Sequence, residues 1–325
     1  MAILAIDQGQ TKTAALLLSE EGEILGTGKA GGASHYKDGL AKASGMMQEA
    51  ADMAIQDAGL QKEAISQVYG GIAAANWPDE IEMLQEELKR RFSVQKADVV
   101  NDCVIALRAG TDSDNAIVLC TGSGMNSAVF VNGKLELVYN NYIDFYDQGS
   151  EGLSSRALRE IFQSHMGCGP YTSLTEGMKE YFGIDDMDRL MLAFYRNQLP
   201  KPLKDACEVV FQEANKNDPT ALEVIYEFGK SISQYVTGAV KRFQIEPAGF
   251  EVILSGGVFK NSNPLLYETV CSQIHRKYSN IPIKQSFYEP IIGAALLAFD
   301  EKGAKDDDAH ERCKKEACAR GLVRY

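Results

Sequence analysis

The segment Asp7-Gln8-Gly9-Gln10-Thr11-Lys12-Thr13 gathers an acid, a glycine, two threonines and a lysine between two apolar runs. Glycine lets the backbone come close to a ligand, and hydroxyls beside exposed amides can donate to anionic oxygens, so this turn suits phosphate. Asp7 is placed to hold a hydrated Mg²⁺, an ion that usually keeps its waters and takes few protein carboxylates. An ordinary tight turn carrying one acid is the plainer alternative. A second segment of similar chemistry, Thr121-Gly122-Ser123-Gly124, also follows an apolar run. Between the two stands Asn101-Asp102, which reads either as a helix cap or as a carboxylate able to accept a proton. Gly256-Gly257, followed by Val258, offers bare backbone on which a flat ring could lie, or simply a strand-to-helix turn that needs glycine.

These residues need elements to hold them. Ala2 to Ile6 and Ala14 to Leu18 are apolar runs on either side of the first turn, and together they predict a hairpin. A third strand follows the Glu21-Gly22-Glu23 turn. The same series recurs about 110 residues later: Ala116 to Cys120, the Thr121 turn, Ala128 to Val131, a turn at Asn132-Gly133-Lys134, then Leu135 to Tyr139. A repeated strand–turn–strand–turn–strand pattern describes a duplicated architecture. Further along, helices are predicted over 39–58, 78–92 and 151–165, across much of an insertion at 172–217, and over 220–243, 264–277 and 291–301. Strands are predicted at 67–72, 97–100, 250–255 and 281–283. From Lys302 onward the composition is charged and small, which predicts a solvated tail. The expected organisation is an N-terminal domain at 1–110, a C-terminal domain at 111–301 and a tail at 302–325, with ligand in the cleft between the domains.

Composition narrows the functional classes. The chain has 325 residues, a net charge of −12 and 45% hydrophobic content. Such a charge disfavours nucleic acid or an anionic membrane as main partners. No apolar run has the length needed to cross a bilayer, and the N-terminus enters a strand at once, without the features of a signal peptide. The seven cysteines are scattered with no CxxC, which favours reduced thiols and a cytoplasmic location.

Six segments together resemble the BadF/BadG-type ATPase family of the sugar kinase, Hsp70 and actin superfamily, which includes N-acetylglucosamine kinases. They are Asp7 to Thr13, Asn101 to Leu107, Thr121 to Gly124, Asp147-Gln148-Gly149-Ser150, Leu254 to Phe259, and Glu289 to Ala295. They occur in family order from residue 2 to about 300. The resemblance implies an α/β fold of two ribonuclease H-like, actin-like ATPase domains with a cleft between them. It implies ATP and Mg²⁺ as cofactors and a small-molecule sugar as substrate, with a homodimer as one option for assembly.

On that resemblance, Gln8, Gly9, Gln10, Thr11, Lys12 and Thr13 form the first phosphate loop, and Thr121, Gly122 and Ser123 the second. Gly256, Gly257 and Val258 form the adenosine loop. Asp7 orients the metal through water, and Asp102 is the catalytic base. Ser34, Asp102, Asp147 and Gln148 are the expected acceptor contacts. Ser34 stands where relatives usually carry an Asn, and Gln148 where they carry a Glu, so the implied acceptor is an amino sugar or hexose and not a single named sugar. Two other readings accompany the kinase. One is an ATP-driven activator of 2-hydroxyacyl-CoA dehydratases or benzoyl-CoA reductases, with an iron–sulfur cluster shared between subunits; the other is a non-catalytic sugar or nucleotide sensor.

Overall fold

The computed structural model describes residues 1–300 and 306–323. The chain opens with the expected hairpin, β1 (Ala2–Gln8) antiparallel to β2 (Lys12–Ser19), and β3 (Ile24–Gly31) pairs with β2. Strands β4 (Ile65–Ile72) and β5 (Lys96–Asn101) then join in parallel, giving a sheet of order β3-β2-β1-β4-β5. Strand β1 is apolar from Ala2 to Ile6 because both faces of the sheet are covered. Leu4 and Ile6 meet Met47, Ala50 and Leu84, while Ile3 and Ala5 belong to a second core with Ile105 and Phe299. The first core is supplied by α2 (Leu40–Ala58), which follows the short α1 (His35–Asp38), and by α3 (Pro78–Phe92). Helix α4 (Asp102–Gly110) contributes to the second.

The second sheet repeats the first in full. Strands β6 (Ala116–Thr121), β7 (Met125–Val131) and β8 (Lys134–Val138) are antiparallel, and β9 (Glu251–Ser255) and β10 (Ile283–Gln285) add in parallel. Its order read from the equivalent edge, β8-β7-β6-β9-β10, matches that of the first sheet. Strand β10 begins two residues later than expected. Pro282 has no N–H to give the ladder, and only its carbonyl takes part, accepting from Val252 at 2.9 Å. The predicted insertion is helical: α5 (Gly149–His165) precedes α6 (Leu174–Phe182), α7 (Met187–Tyr195) and α8 (Cys207–Asn215), and α9 (Pro219–Phe243) follows. With α10 (Leu265–His275), these helices bury Leu153, Phe211 and Phe228 against the second sheet.

Two expectations at the C-terminus are corrected. Helix α11 (Pro290–Asp300), expected within the second domain, packs on α4, β1 and β4. Gly293 lies so close to α4 that a Cβ there would fall 1.8 Å from the Ile105 carbonyl oxygen. The expected solvated tail contains a docked helix, α12 (Asp307–Ala319), capped by the Asp306 side chain. Ala309, Cys313 and Ala317 recur every four residues and give it a buried stripe that the charged composition obscures. Glu316 accepts from the Ile24 amide at 2.7 Å and Arg320 donates to the Ile24 carbonyl at 2.6 Å, so this segment grips the edge strand β3. Residues 301–305 and 324–325, which include the end of the last predicted helix and part of the tail, lie outside the described residues.

Candidate active site

A cleft of about 340 Å³ opens between the two sheets, and residues from both halves line it. The β1–β2 turn forms one wall, closed by a Gly9 amide bond to the Lys12 carbonyl at 2.9 Å. Gly9, Gln10, Thr11 and Lys12 line the cleft beside Asp7. The ends of the loop point elsewhere: Gln8 donates to the Ala43 carbonyl at 2.7 Å and Thr13 to the Gly31 carbonyl at 2.8 Å. Those two bonds fix the loop to α2 and β3.

The β6–β7 turn forms the opposite wall. Its Gly122 amide bonds to the Gly124 carbonyl at 2.8 Å, and the Gly122 and Ser123 carbonyls accept from the Ser150 and Glu151 amides at the start of α5. That docking requires glycine at 149, where φ is +53° and a Cβ would sit 2.2 Å from the Gly124 oxygen. Gly122 and Ser123 line the cleft, while the Thr121 hydroxyl is buried against the Ser255 carbonyl at 3.4 Å.

Of the two readings of Asn101-Asp102, the helix cap is realised, and by Asn101. Asn101 caps α4, its side chain accepting from the Cys103 amide at 3.0 Å. Asp102, the first residue of the helix, is thereby left to face the cleft. Its carboxyl is pushed up to about 7, chiefly by loss of hydration and then by the negative charge of Asp7, while the Cys103 and Asp102 amides pull the other way. A carboxyl poised near neutrality in a cleft is the expected property of a general base.

The expected acceptor contacts separate. Gln148 lines the cleft and ties its wall together, accepting from the Met125 amide at 3.4 Å and donating to the Ile143 carbonyl at 3.3 Å. Ser34 caps α1 through the Tyr36 amide and is not among the lining residues. Asp147 is buried away from the cleft lining, paired with Arg156 at 2.8 Å and accepting from Ser231 at 2.8 Å and Tyr235 at 3.0 Å. Gly256, Gly257 and Val258 also stand apart from the main cleft. Gly256, at φ +105°, backs directly onto Thr121, where a Cβ would lie 2.0 Å from the carbonyl oxygen. Val258 opens on a neighbouring cavity of about 230 Å³ that Phe259, Tyr267 and Gln285 also line.

Sequence reasoning missed a set of neutral lining residues: Asn76, Asn126 and Asn140. Ala74, also in the lining, holds φ at +64°, a strained value for a residue with a side chain. Asparagines read equally well as turn formers, so type alone gave no signal. The donor set suits a metal that arrives with its ligand. Asp7 and Asp102 are the carboxylates of the cleft, and no group of three or more His, Cys, Asp or Glu positioned to hold a metal occurs among the described residues. Mg²⁺ bound mainly by phosphate oxygens and water needs only that much from a protein.

The sequence matches the BadF/BadG/BcrA/BcrD ATPase family over residues 4–298. The chain belongs to that family. It is 20% identical to an N-acetylmuramic acid/N-acetylglucosamine kinase of Clostridium acetobutylicum, covering 92% of this chain and 98% of that one. It is 22% identical to an N-acetyl-D-glucosamine kinase of Dictyostelium discoideum over 62% of this chain, and spans 65% of that relative's length. In fold it is similar to a ROK family glucokinase of Streptomyces griseus solved with glucose and AMPPNP, with a TM-score of 0.60 and 15% identity over 91% of this chain and 99% of that one. The two-domain actin-like fold implied by the sequence is therefore the fold of this family member. Among the described residues no helix is long and apolar enough to cross a membrane.

Proposed function

We propose that this protein is an ATP-dependent sugar kinase that transfers the γ-phosphoryl group of Mg-ATP to a hydroxyl of an amino sugar or hexose. The observation that carries the reading is Asp102, its carboxyl held at about 7 in a cleft whose walls are the two glycine-bearing loops. Phosphoryl transfer asks a protein for alignment and charge neutralisation, with little covalent work. Amides of Gln10 to Lys12 and of Ser123 would receive the polyphosphate from opposite walls, with Lys12 adding positive charge, while the Gly9 and Gly122 amides close their own turns. Adenosine would lie along Gly256, Gly257 and Val258, next to the second loop through the contact of Gly256 with Thr121. Asp7 would hold Mg²⁺ through water, and the ion would neutralise charge on the phosphate oxygens.

Asp102 accepts the proton of the acceptor hydroxyl as its oxygen bonds to the γ-phosphorus and the bond to the β–γ bridging oxygen breaks, releasing ADP. The amide-rich wall suits a ligand with both hydroxyl and carboxamide groups, and Gln148 is the expected acceptor contact on the second-sheet side. Ser34 and Asp147 support the acceptor walls through the cap and the ion pair already described. The relatives named for N-acetylglucosamine and N-acetylmuramic acid direct the choice of acceptors to try. The test is ADP release from Mg-ATP across a panel of hexoses and amino sugars with a no-sugar control. Stimulation by one sugar class supports the reading. Equal turnover with and without every sugar would replace it with an ATPase acting on another partner.

A further inference from the structure

Four of the five asparagines that line the cleft are linked by hydrogen bonds into a chain that crosses it. Asn76 comes from the connection between β4 and α3 and Asn101 from the end of β5 in the first half, Asn126 from β7 and Asn140 from the segment after β8 in the second. Asn126 Nδ2 donates to Asn101 Oδ1 at 3.1 Å and to Asn140 Oδ1 at 3.3 Å. Its Oδ1 accepts from the Ser127 amide at 2.8 Å and the Asn140 amide at 3.0 Å. This sets the amide's orientation, because turned over it would oppose oxygen to oxygen and N–H to N–H. Asn101 is held in the same way, its Oδ1 taking the Cys103 amide and its Nδ2 donating to Asn76 Oδ1 at 2.8 Å.

We propose that Asn126 is a positioning residue for Asp102, acting across the cleft through the Asn101 cap, so that the relative placement of the two domains sets the orientation of the base. The inference rests on the kinase reading. Asn101 Oδ1 has two lone pairs, and one donor comes from each half of the molecule. The carboxyl-bearing residue lies in sequence between the cap and the amide that it holds. Withdrawal of Asn126 with the second sheet would remove one of the two donors to Asn101 Oδ1, leave the Cys103 amide and Asn76 as its remaining partners, and loosen the turn that carries Asp102. A second bridge, from Asn140 Nδ2 to the Asn76 carbonyl at 3.0 Å, runs beside the first and resists twisting between the halves. Every group in the link is neutral, so it does not compete with the carboxylates or lysine for phosphate.

The experiment compares Asn126→Ala, the near-isosteric Asn126→Asp, Asn101→Ala and the Asn126→Ala/Asn101→Ala double variant. Steady-state kinetics are measured on each, with hydrogen exchange at the first turn of α4. Both Asn126 variants should lower kcat about 10- to 100-fold, and in the neutral Asn126→Ala KM for sugar and ATP should stay within about twofold, since a misplaced group costs rate at constant binding. The double variant should be no worse than Asn101→Ala by more than about threefold, because the two residues act through one bond. The Cys103 amide should exchange about tenfold faster in Asn126→Ala. The inference is overturned by a loss confined to sugar KM, by multiplicative losses in the double variant, or by unchanged exchange at Cys103. Absence of sugar-stimulated turnover in the unsubstituted protein would instead overturn the kinase reading, and the exchange measurement would still decide the coupling.

Discussion

Glu289 Oε2 lies 3.0 Å from Lys12 Nζ, joining the residue before α11 to the end of the first loop, where β2 begins. Lys260, just past the glycine pair, approaches the same carboxylate at 3.9 Å. Two lysines from separate segments thus converge on one acid at the edge of the candidate phosphate site. Lys12 is largely exposed, and such a pair contributes little to stability, well under about 1 kcal/mol. A polyphosphate can therefore displace it.

Glu289→Gln should lower KM for ATP about two- to fivefold at low ionic strength, by removing a competitor for both lysines. The difference should shrink at high salt, where exposed charges are screened. Nucleotide titrations at two salt concentrations measure it, and an unchanged or raised KM at low salt would show that Glu289 does not compete with phosphate.

Asp102→Asn should reduce turnover at least about 100-fold with ligand affinities within a few-fold, the usual scale for loss of a general base. Near-normal turnover in this variant would exclude Asp102 as the base. For the unsubstituted enzyme, kcat/KM should fall as pH drops through about 7, where Asp102 takes up its proton.

The same residue makes a prediction about stability with the opposite sign. Its carboxyl is raised to about 7 in the folded protein, against about 4 in an unfolded chain. Between those limits the folded state keeps a proton that the unfolded state has lost, so stability falls as pH rises through that window. Asp102→Asn removes the penalty and should stabilise the protein at pH 8 by on the order of 1–3 kcal/mol. Denaturant unfolding at pH 5 and pH 8 tests this; an equal or lower stability of the variant at pH 8 would contradict it.

Ala74 gives a test of local backbone strain. Its φ of +64° is tolerated by glycine and poorly by branched side chains. Ala74→Val should cost about 2 kcal/mol or more, whereas Ala74→Gly should leave stability within about 1 kcal/mol of the starting protein. Equal effects of the two substitutions on the unfolding midpoint would mean that the turn is not strained.

The architecture was legible because its signals are local. The apolar runs around Asp7 and Thr121 announced two hairpins, and their recurrence announced two matching sheets. The central stretches of both loops and Asp102 meet in one cleft, as the spacing of a strand end and a tight turn requires. The acceptor side was less legible because its geometry depends on distant partners. Asp147 is claimed by Arg156, Ser231 and Tyr235, and nothing near residue 147 reveals the last two. Ser34 is taken by a helix only four residues long, too short to leave a periodic signature. Helix α12 did leave one, in Ala309, Cys313 and Ala317, but it was outweighed by the surrounding charge.

The return of α11 to the first sheet bears on how this chain emerges from the ribosome. Ile3, Ala5 and Leu16 share a core with Ile291, Leu296 and Phe299, so β1 and β2 share a core with residues made nearly 300 positions after them. Domains commonly fold in order as they are synthesised. Here the half that is made first cannot be finished first, and its uncovered face must wait through synthesis of the whole second sheet. A nascent chain halted before residue 290 would leave the part of that face that α11 covers open to solvent, with only α4 packed against the rest.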